Sequence, residues 1–290
     1  MDGTDRMGTV VTHLGISGRE LRVRFTGGPV VLAGATLTVA PHRRTALLGA
    51  NGSGKTTLLR CLSGAVEPES GRVEVCEEAL KYSRAGLRAH RQRVQLVLQD
   101  PDDQLFSADV ERDVAYGPSN LGLSDSDVRD GVDEALELMG IEHLRRRPTH
   151  HLSYGERKRV ATAGAVAMRP AVLLLDEPTA GLDPVGVDEM FGALDRLEKA
   201  QTTVLLSTHD VALALEWADS VAVVVDGVVH QGLPDVLLSD TSLLSRARLK
   251  MPWASELAGQ LVRAGLIAPD ATPHTVDEVV AALRRADPEA

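Results

Sequence analysis

Aromatic residues make up only 3% of this 290-residue chain, so any core must be built mainly from Ala, Val and Leu. There are only two cysteines, Cys61 and Cys76, and they stand in no metal-ligand spacing. Two cannot form a disulfide framework, and both are expected as small buried residues in a reducing compartment. Positive charge is in deficit: the formal net charge of -10 argues against broad binding to DNA or RNA, which requires a basic footprint. No stretch reaches the about 18 to 20 uncharged apolar residues of a membrane span. The most apolar run, Val221–Val229, is short and interrupted by Asp226. The N-terminus, Met1–Gly18, lacks the apolar centre of a signal peptide and reads as a lead-in. The expectation is a soluble chain that can dock on a membrane protein.

The hydrophobic fraction of 43% suffices for a sizeable core. Leu21, Val23 and Phe25 alternate with Arg22 and Arg24, a half-buried strand pattern, and Gly27–Gly28–Pro29 is a turn. Further strands are expected near Thr36–Val39, Thr45–Leu48, Val73–Val75 and Val94–Leu98. Helical patterns then dominate from about Asp100 to Arg169, at Asp109–Tyr116, Asp125–Met139 and Glu156–Met168. The short apolar runs Val172–Leu175, Thr203–Leu206 and Val221–Val225 suit a parallel sheet buried on both faces, with helices between them. Beyond Gly232, helices are expected at Thr241–Arg248, Ala254–Ala264 and Val276–Ala286, the last with a Thr275/Glu278 capping box.

Gly49-Ala-Asn-Gly-Ser-Gly54-Lys55-Thr56-Thr57 fits G-x-x-x-x-G-K-[ST]. The glycines let the backbone curl so that several N–H groups face one anion, and the helix that follows adds its N-terminal dipole. Asn51, Gly52, Ser53, Gly54, Lys55, Thr56 and Thr57 are therefore candidate ATP-binding residues. Lys55 is expected to reach the β- and γ-phosphates and the Thr56 hydroxyl to bind Mg²⁺.

Val172–Leu175 ends in Asp176-Glu177, two carboxylates at the C-terminal edge of a buried strand, where α/β sheets gather ligands. Asp176 is placed to hold Mg²⁺ and Glu177 to polarise an attacking water. Leu152-Ser153-Tyr154-Gly155-Glu156 opens another helix. A capping box explains Ser153 and Glu156. It does not explain Gly155, a poor helix former, unless something approaches the backbone closely.

Leu152–Glu156 resembles the signature motif of ATP-binding-cassette ATPases, and other family elements follow in order. Gln99 sits at the Q-loop position, Ala180-Gly-Leu-Asp183 looks like the D-loop, and His209 in Ser207-Thr-His-Asp210 looks like the switch histidine. Phe25 occupies the adenine-stacking position. The resemblance covers about residues 20–240. It implies an α/β P-loop NTPase cassette: a parallel-sheet RecA-like core, an antiparallel β subdomain and an α-helical subdomain at about 100–169. It also implies a head-to-tail dimer, with Ser153 and Gly155 serving the partner's γ-phosphate, and Asp183 of the D-loop among the ATP-binding residues. Glu177, His209 and Gln99 are then the catalytic set, and Thr56, Gln99 and Asp176 the metal set. Tyr154 replaces the common second glycine of the signature and Glu156 the common glutamine.

Gln99-Asp-Pro-Asp-Asp-Gln-Leu-Phe-Ser107, Val110–Pro118 and His150–Gly155 resemble the energy-coupling-factor group of importers, especially the cobalt- and nickel-type ATPases. That likeness implies an ATPase on the cytoplasmic face of the membrane. Its partners would be a second copy, a transmembrane coupling protein meeting Gln99–Ser107, and a substrate-binding membrane subunit. A vitamin importer such as one for biotin, or a soluble non-transport cassette, are the alternatives. The domain plan is a lead-in (1–18), the cassette (19–240) and a C-terminal helical extension for dimerisation (241–290). His150 and His151 are not taken as metal ligands, since adjacent residues of a strand point to opposite faces.

Overall fold

The computed structural model describes residues 15–200, 202–271, 273 and 276–286. Strands β1 (Ile16–Arg24) and β2 (Val30–Val39) pair antiparallel across the expected glycine-proline turn. Ile16–Gly18, assigned above to the lead-in, belong to β1: Ile16 is buried and pairs with both Val39 and Val75. The simple alternation from Leu21 did not extend backwards because a register shift between Gly18 and Leu21 breaks the period. β3 (Arg44–Leu48) runs into the phosphate loop and α1 (Lys55–Leu62). β4 (Ser70–Val75) and β5 (Glu78–Ala79) complete an antiparallel sheet of order β2-β1-β4-β5.

Helix α2 (Arg84–Arg93) had no apolar stripe to betray it; Ser83 caps it by accepting from Gly86 N, and most of it is exposed. It precedes β6 (Val94–Val97). The helical stretch follows as α3 (Val110–Asn120), α4 (Asp125–Met139) and α5 (Tyr154–Val166). α3 continues through Pro118, past the expected end at Tyr116. Then come β7 (Val172–Leu175), α6 (Pro184–Lys199), β8 (Thr203–Thr208), α7 (Val211–Trp217), β9 (Ser220–Val225) and β10 (Val228–Gly232). The apolar run at Val221–Val229 is thus a hairpin. Asp226 (φ 53°) and Gly227 (φ 75°) supply the two left-handed residues of its turn.

The second sheet has the order β10-β9-β3-β8-β7-β6, parallel except for β10. Its period-2 alternation divides the core. Ala46, Leu48, Leu173, Leu175, Val204 and Leu206 face a cluster shared with α3–α7. Leu47, Val172, Leu174, Leu205 and Val224 face the antiparallel sheet and α1. Both faces are covered, which is why these strands read as unbroken apolar runs. Among the described residues four helices follow β10: α8 (Pro234–Leu237), α9 (Thr241–Arg246), α10 (Trp253–Arg263) and α11 (Val276–Ala286). Leu243 and Leu244 of α9 join the main core. Thr275 of the expected capping box, and residues 1–14 of the lead-in, lie outside the described residues. Cys61 is buried, its thiol pushed up to about 12 by desolvation; Cys76, expected to be buried, is exposed at a tight turn (φ 49°).

Candidate functional site

The loop between β3 and α1 has the backbone that its glycines predict. Gly52 and Gly54 have φ of 80° and 108°, and Gly54 caps α1 without any side-chain hydrogen bond. A Cβ at Gly54 would stand 3.3 Å from the Val31 carbonyl. Helix α1 therefore presents its first N–H groups uncapped, as an anion site requires. Lys55 is buried; its amine donates to the Gly49 carbonyl (2.8 Å) and lies 3.2 Å from Glu177 Oε1. Ser53 Oγ is buried in the loop without a hydrogen-bond partner. Asn51, Gly52, Gly54, Lys55, Thr56 and Thr57 line a cleft of about 230 Å³ with Val31, Gln99, Asp176 and Glu177.

The ends of β7 and β8 bring the acidic pair to this cleft. Parallel pairing sets Leu175 beside Leu206, so Ser207 falls beside Asp176. Ser207 Oγ donates to Asp176 Oδ1 (2.6 Å) and accepts from Glu177 N (2.9 Å). Thr56 Oγ1 donates to the other oxygen, Asp176 Oδ2, at 2.7 Å. Glu177 is 5% exposed, with one oxygen toward Lys55 and the other 3.0 Å from His209 Nδ1. Lys55 and His209 thus fix both oxygens of this carboxylate at the edge of the cleft. Thr56 and Asp176 are hard oxygen donors. Among the described residues no group of three His, Cys, Asp or Glu side chains could hold a metal. The two oxygen donors fit Mg²⁺, a hard cation that takes waters and phosphate oxygens as its other ligands.

Helix α5 begins at Ser153 with the predicted reciprocal capping box: Glu156 N donates to Ser153 Oγ (3.2 Å) and Ser153 N to Glu156 Oε2 (2.6 Å). Arg147 stands 3.3 Å from Glu156, so the acidic departure in the signature is partly neutralised locally. A Cβ at Gly155 would meet only Leu182, at an ordinary 3.5 Å. Among the described residues no contact requires glycine there. The Tyr154 ring lies beneath the Arg157 and Lys158 cations, 5.7 and 5.5 Å away, and its edge would be 3.0 Å from a Cβ at Gly181.

Of the predicted site residues, the structure gathers Asn51, Gly52, Gly54, Lys55, Thr56, Thr57, Gln99, Asp176 and Glu177 at the cleft, and His209 joins through Glu177. Phe25, Ser53, Ser153, Gly155 and Asp183 are not among its lining. Phe25 is 48% exposed, and Asp183 caps α6 by accepting from Gly186 N at 2.8 Å. Sequence reading passed over Ser207 and Lys158. A serine ending an apolar strand was a visible signal; Lys158 gave none.

The Gln99–Ser107 segment is built more firmly than an acidic turn. Pro101–Asp103 form a 3-10 turn, and Gln104 Oε1 accepts from Leu98 N at 2.8 Å. Buried Asp113 accepts from Phe106 N (3.0 Å) and Ser107 N (2.7 Å). Phe106 and Tyr116 are exposed, with rings edge-to-face at 4.5 Å. His150 and His151 lie in a 3-10 turn, not a strand, so they do not face apart: their rings touch at 4.2 Å.

Comparison with known proteins gives a consistent result. A family model described as ABC transporter matches residues 32–180. The chain is 52% identical to a Streptomyces coelicolor protein provisionally named an ABC transporter ATP-binding protein, over 89% of this chain and 91% of that one. It is 46% identical to a protein of Rhodobacter capsulatus named cobalt import ATP-binding protein CbiO, over 92% of this chain and 96% of that one. Among solved structures, it is similar to CbiO1 from Clostridium perfringens, described as part of the ABC transporter complex CbiONQ. That match has a TM-score of 0.73 and 39% identity, covering 84% of this chain and 98% of the other.

Proposed function

The chain belongs to the ABC transporter family of ATPases, and from that premise we propose that it is the ATP-hydrolysing subunit of an energy-coupling-factor importer of cobalt or nickel ions. The observation that carries the ATPase assignment is the Glu177 carboxylate, buried between Lys55 and His209 beside an uncapped phosphate loop. The relatives named for cobalt import, with the similar CbiO1 structure, support the transport class, as does a 41% identical protein of Methanosphaera stadtmanae named energy-coupling factor transporter ATP-binding protein EcfA, matched over 84% of this chain and 88% of that one.

In this reading the α1 N-terminus and Lys55 bind the ATP phosphates, and exposed Phe25 stacks on the base. Thr56, Asp176 and Gln99 hold Mg²⁺, which when bound neutralises charge on the phosphate oxygens. Glu177 takes the proton of the attacking water, and His209 holds its outer oxygen and meets the γ-phosphate. Ser207 fixes both neighbours, Asp176 by its side chain and Glu177 by its N–H. A second copy completes the site with its Ser153 and Gly155. The glycine that this chain's own packing leaves unexplained supports that arrangement. Asp183 at the head of α6 belongs to the same interface.

The cassette runs from Ile16, at the head of β1, to about residue 240, and 241–290 is the extension that joins two copies; exposed Trp253, Leu266 and Val276 suit a covered face. Phe106 and Tyr116, above the firmly held loop, receive the membrane partner. Among the described residues no helix is long and apolar enough to cross a membrane, which fits a peripheral subunit.

The decisive experiment is Glu177→Gln. The variant is expected to bind ATP, accumulate as a closed dimer and lose turnover; undiminished hydrolysis overturns the assignment. Uptake of labelled Co²⁺ and Ni²⁺ by cells coexpressing the membrane partners tests the cargo, and uptake of biotin instead would move the protein to the vitamin group.

A further inference from the structure

Glu177 is followed by Pro178, yet its φ is 49°. A residue before proline is driven toward extended backbone, and a non-glycine residue in the left-handed region is strained. This conformation aims the carboxylate at Lys55 and His209, and it persists only if the surroundings hold the peptide. The N–H is held by Ser207 at 2.9 Å. The carbonyl is held on the other side by Lys158 Nζ, at 2.8 Å, and by Ala180 N at 3.1 Å.

Lys158 is an odd tool for this task. It lies on α5, 19 residues before Glu177, and is 4% exposed. Burying an amine costs stability unless it is matched, and here its acidity is raised by desolvation to a pKa of about 8 against the usual 10.5. Asp100, Asp176 and Glu177 oppose that shift, and the Tyr154 ring covers the cation at 5.5 Å. A backbone carbonyl already bonded to Ala180 N does not need a buried lysine for satisfaction. The contact thus adds a charge-assisted bond to a peptide that is already satisfied, at a desolvation cost to the amine.

We infer that Lys158 is a positioning residue for hydrolysis: its amine pins the strained Glu177 peptide to the signature helix and so holds the carboxylate on the water. Tyr154, which stands where the family has glycine, shields this cation. The segment serving the second copy's nucleotide is thereby tied directly to the carboxylate serving this chain's own. The inference rests on Glu177 being the base, which Glu177→Gln tests by itself.

The test is a double-mutant cycle on the full chain, with kcat from labelled phosphate release, nucleotide affinity from equilibrium titration, and thermal melting. Lys158→Met keeps the side-chain length and removes the donor. Its kcat is expected to fall about tenfold or more, since a charged hydrogen bond is lost. ATP affinity stays within about twofold, and melting holds or rises because a buried charge has been replaced by an apolar group. In the Glu177→Gln background the same substitution leaves the residual rate unchanged, because Lys158 acts only through that carboxylate. Three results each overturn the inference: an unchanged kcat for Lys158→Met, a loss confined to melting temperature, or an equal further loss in the Glu177→Gln background. Full turnover in Glu177→Gln alone overturns the base instead, and is read from a different arm.

Discussion

Ser207→Ala isolates how the two acidic neighbours are held. Ser207 is fully buried, and its hydroxyl donates to Asp176 Oδ1 at 2.6 Å while accepting from Glu177 N at 2.9 Å. Removing the oxygen strands a buried N–H, worth about 1–3 kcal/mol, and takes a charge-assisted bond from Asp176, worth about 1.5–3 kcal/mol. The two losses share one atom and do not simply add, so about 3 kcal/mol is expected. For a domain of this size that lowers the melting temperature by about 6 to 12 °C. The assay is urea unfolding of the nucleotide-free chain, with the slope unchanged and the midpoint lowered, alongside calorimetry. The rate of ATP hydrolysis falls as well, since Thr56 alone then orients Asp176. A shift below about 1 kcal/mol would refute the reasoning, for it would mean that the pair is held without the serine.

Lys55→Ala removes the amine between Gly49 O and Glu177. ATP affinity is expected to fall about tenfold or more, read by titration with a fluorescent nucleotide; unchanged affinity contradicts the phosphate-loop role. Phe106→Ala with Tyr116→Ala strips the exposed aromatic pair and should reduce co-purification with a coexpressed membrane partner while ATP binding persists. Charge reversal at Asp102 and Asp103 should act in the same direction, and full retention in both variants counts against that contact. At Glu74, hydrogen bonds from Arg72 and Arg19 lower the carboxyl from the usual 4.5 to about 2. A depressed folded-state value means that this contribution is complete above pH 4.5 and is lost as pH falls toward 2. Glu74→Gln should therefore lower stability at neutral pH and flatten the acid limb over that window; an unchanged limb would discount the pair of arginines.

How much was legible depended on distance along the chain. The phosphate loop, α1 and both ends of α4 were readable because glycine conformations, caps and helical periodicity act within a few residues. Helix α2 was missed because Leu87 is one of few apolar residues in a run of arginines. The β9–β10 hairpin was missed because Asp226 looked like an interruption when it was a turn. The histidine pair was assigned to a strand for want of any local cue to its 3-10 turn.

The sequence alone determined the donor-rich loop at Gly49–Thr57, the acidic pair ending β7 and the capped start of α5, because each is written in consecutive residues. Only the tertiary structure decided what those parts do to one another. Parallel register put Ser207 beside Asp176, and helix packing carried Lys158 to the Glu177 carbonyl. Such contacts join residues 19 to 120 positions apart. No local pattern encodes them; they arise when sheet and helices close on a shared core and leave their polar ends facing one cleft.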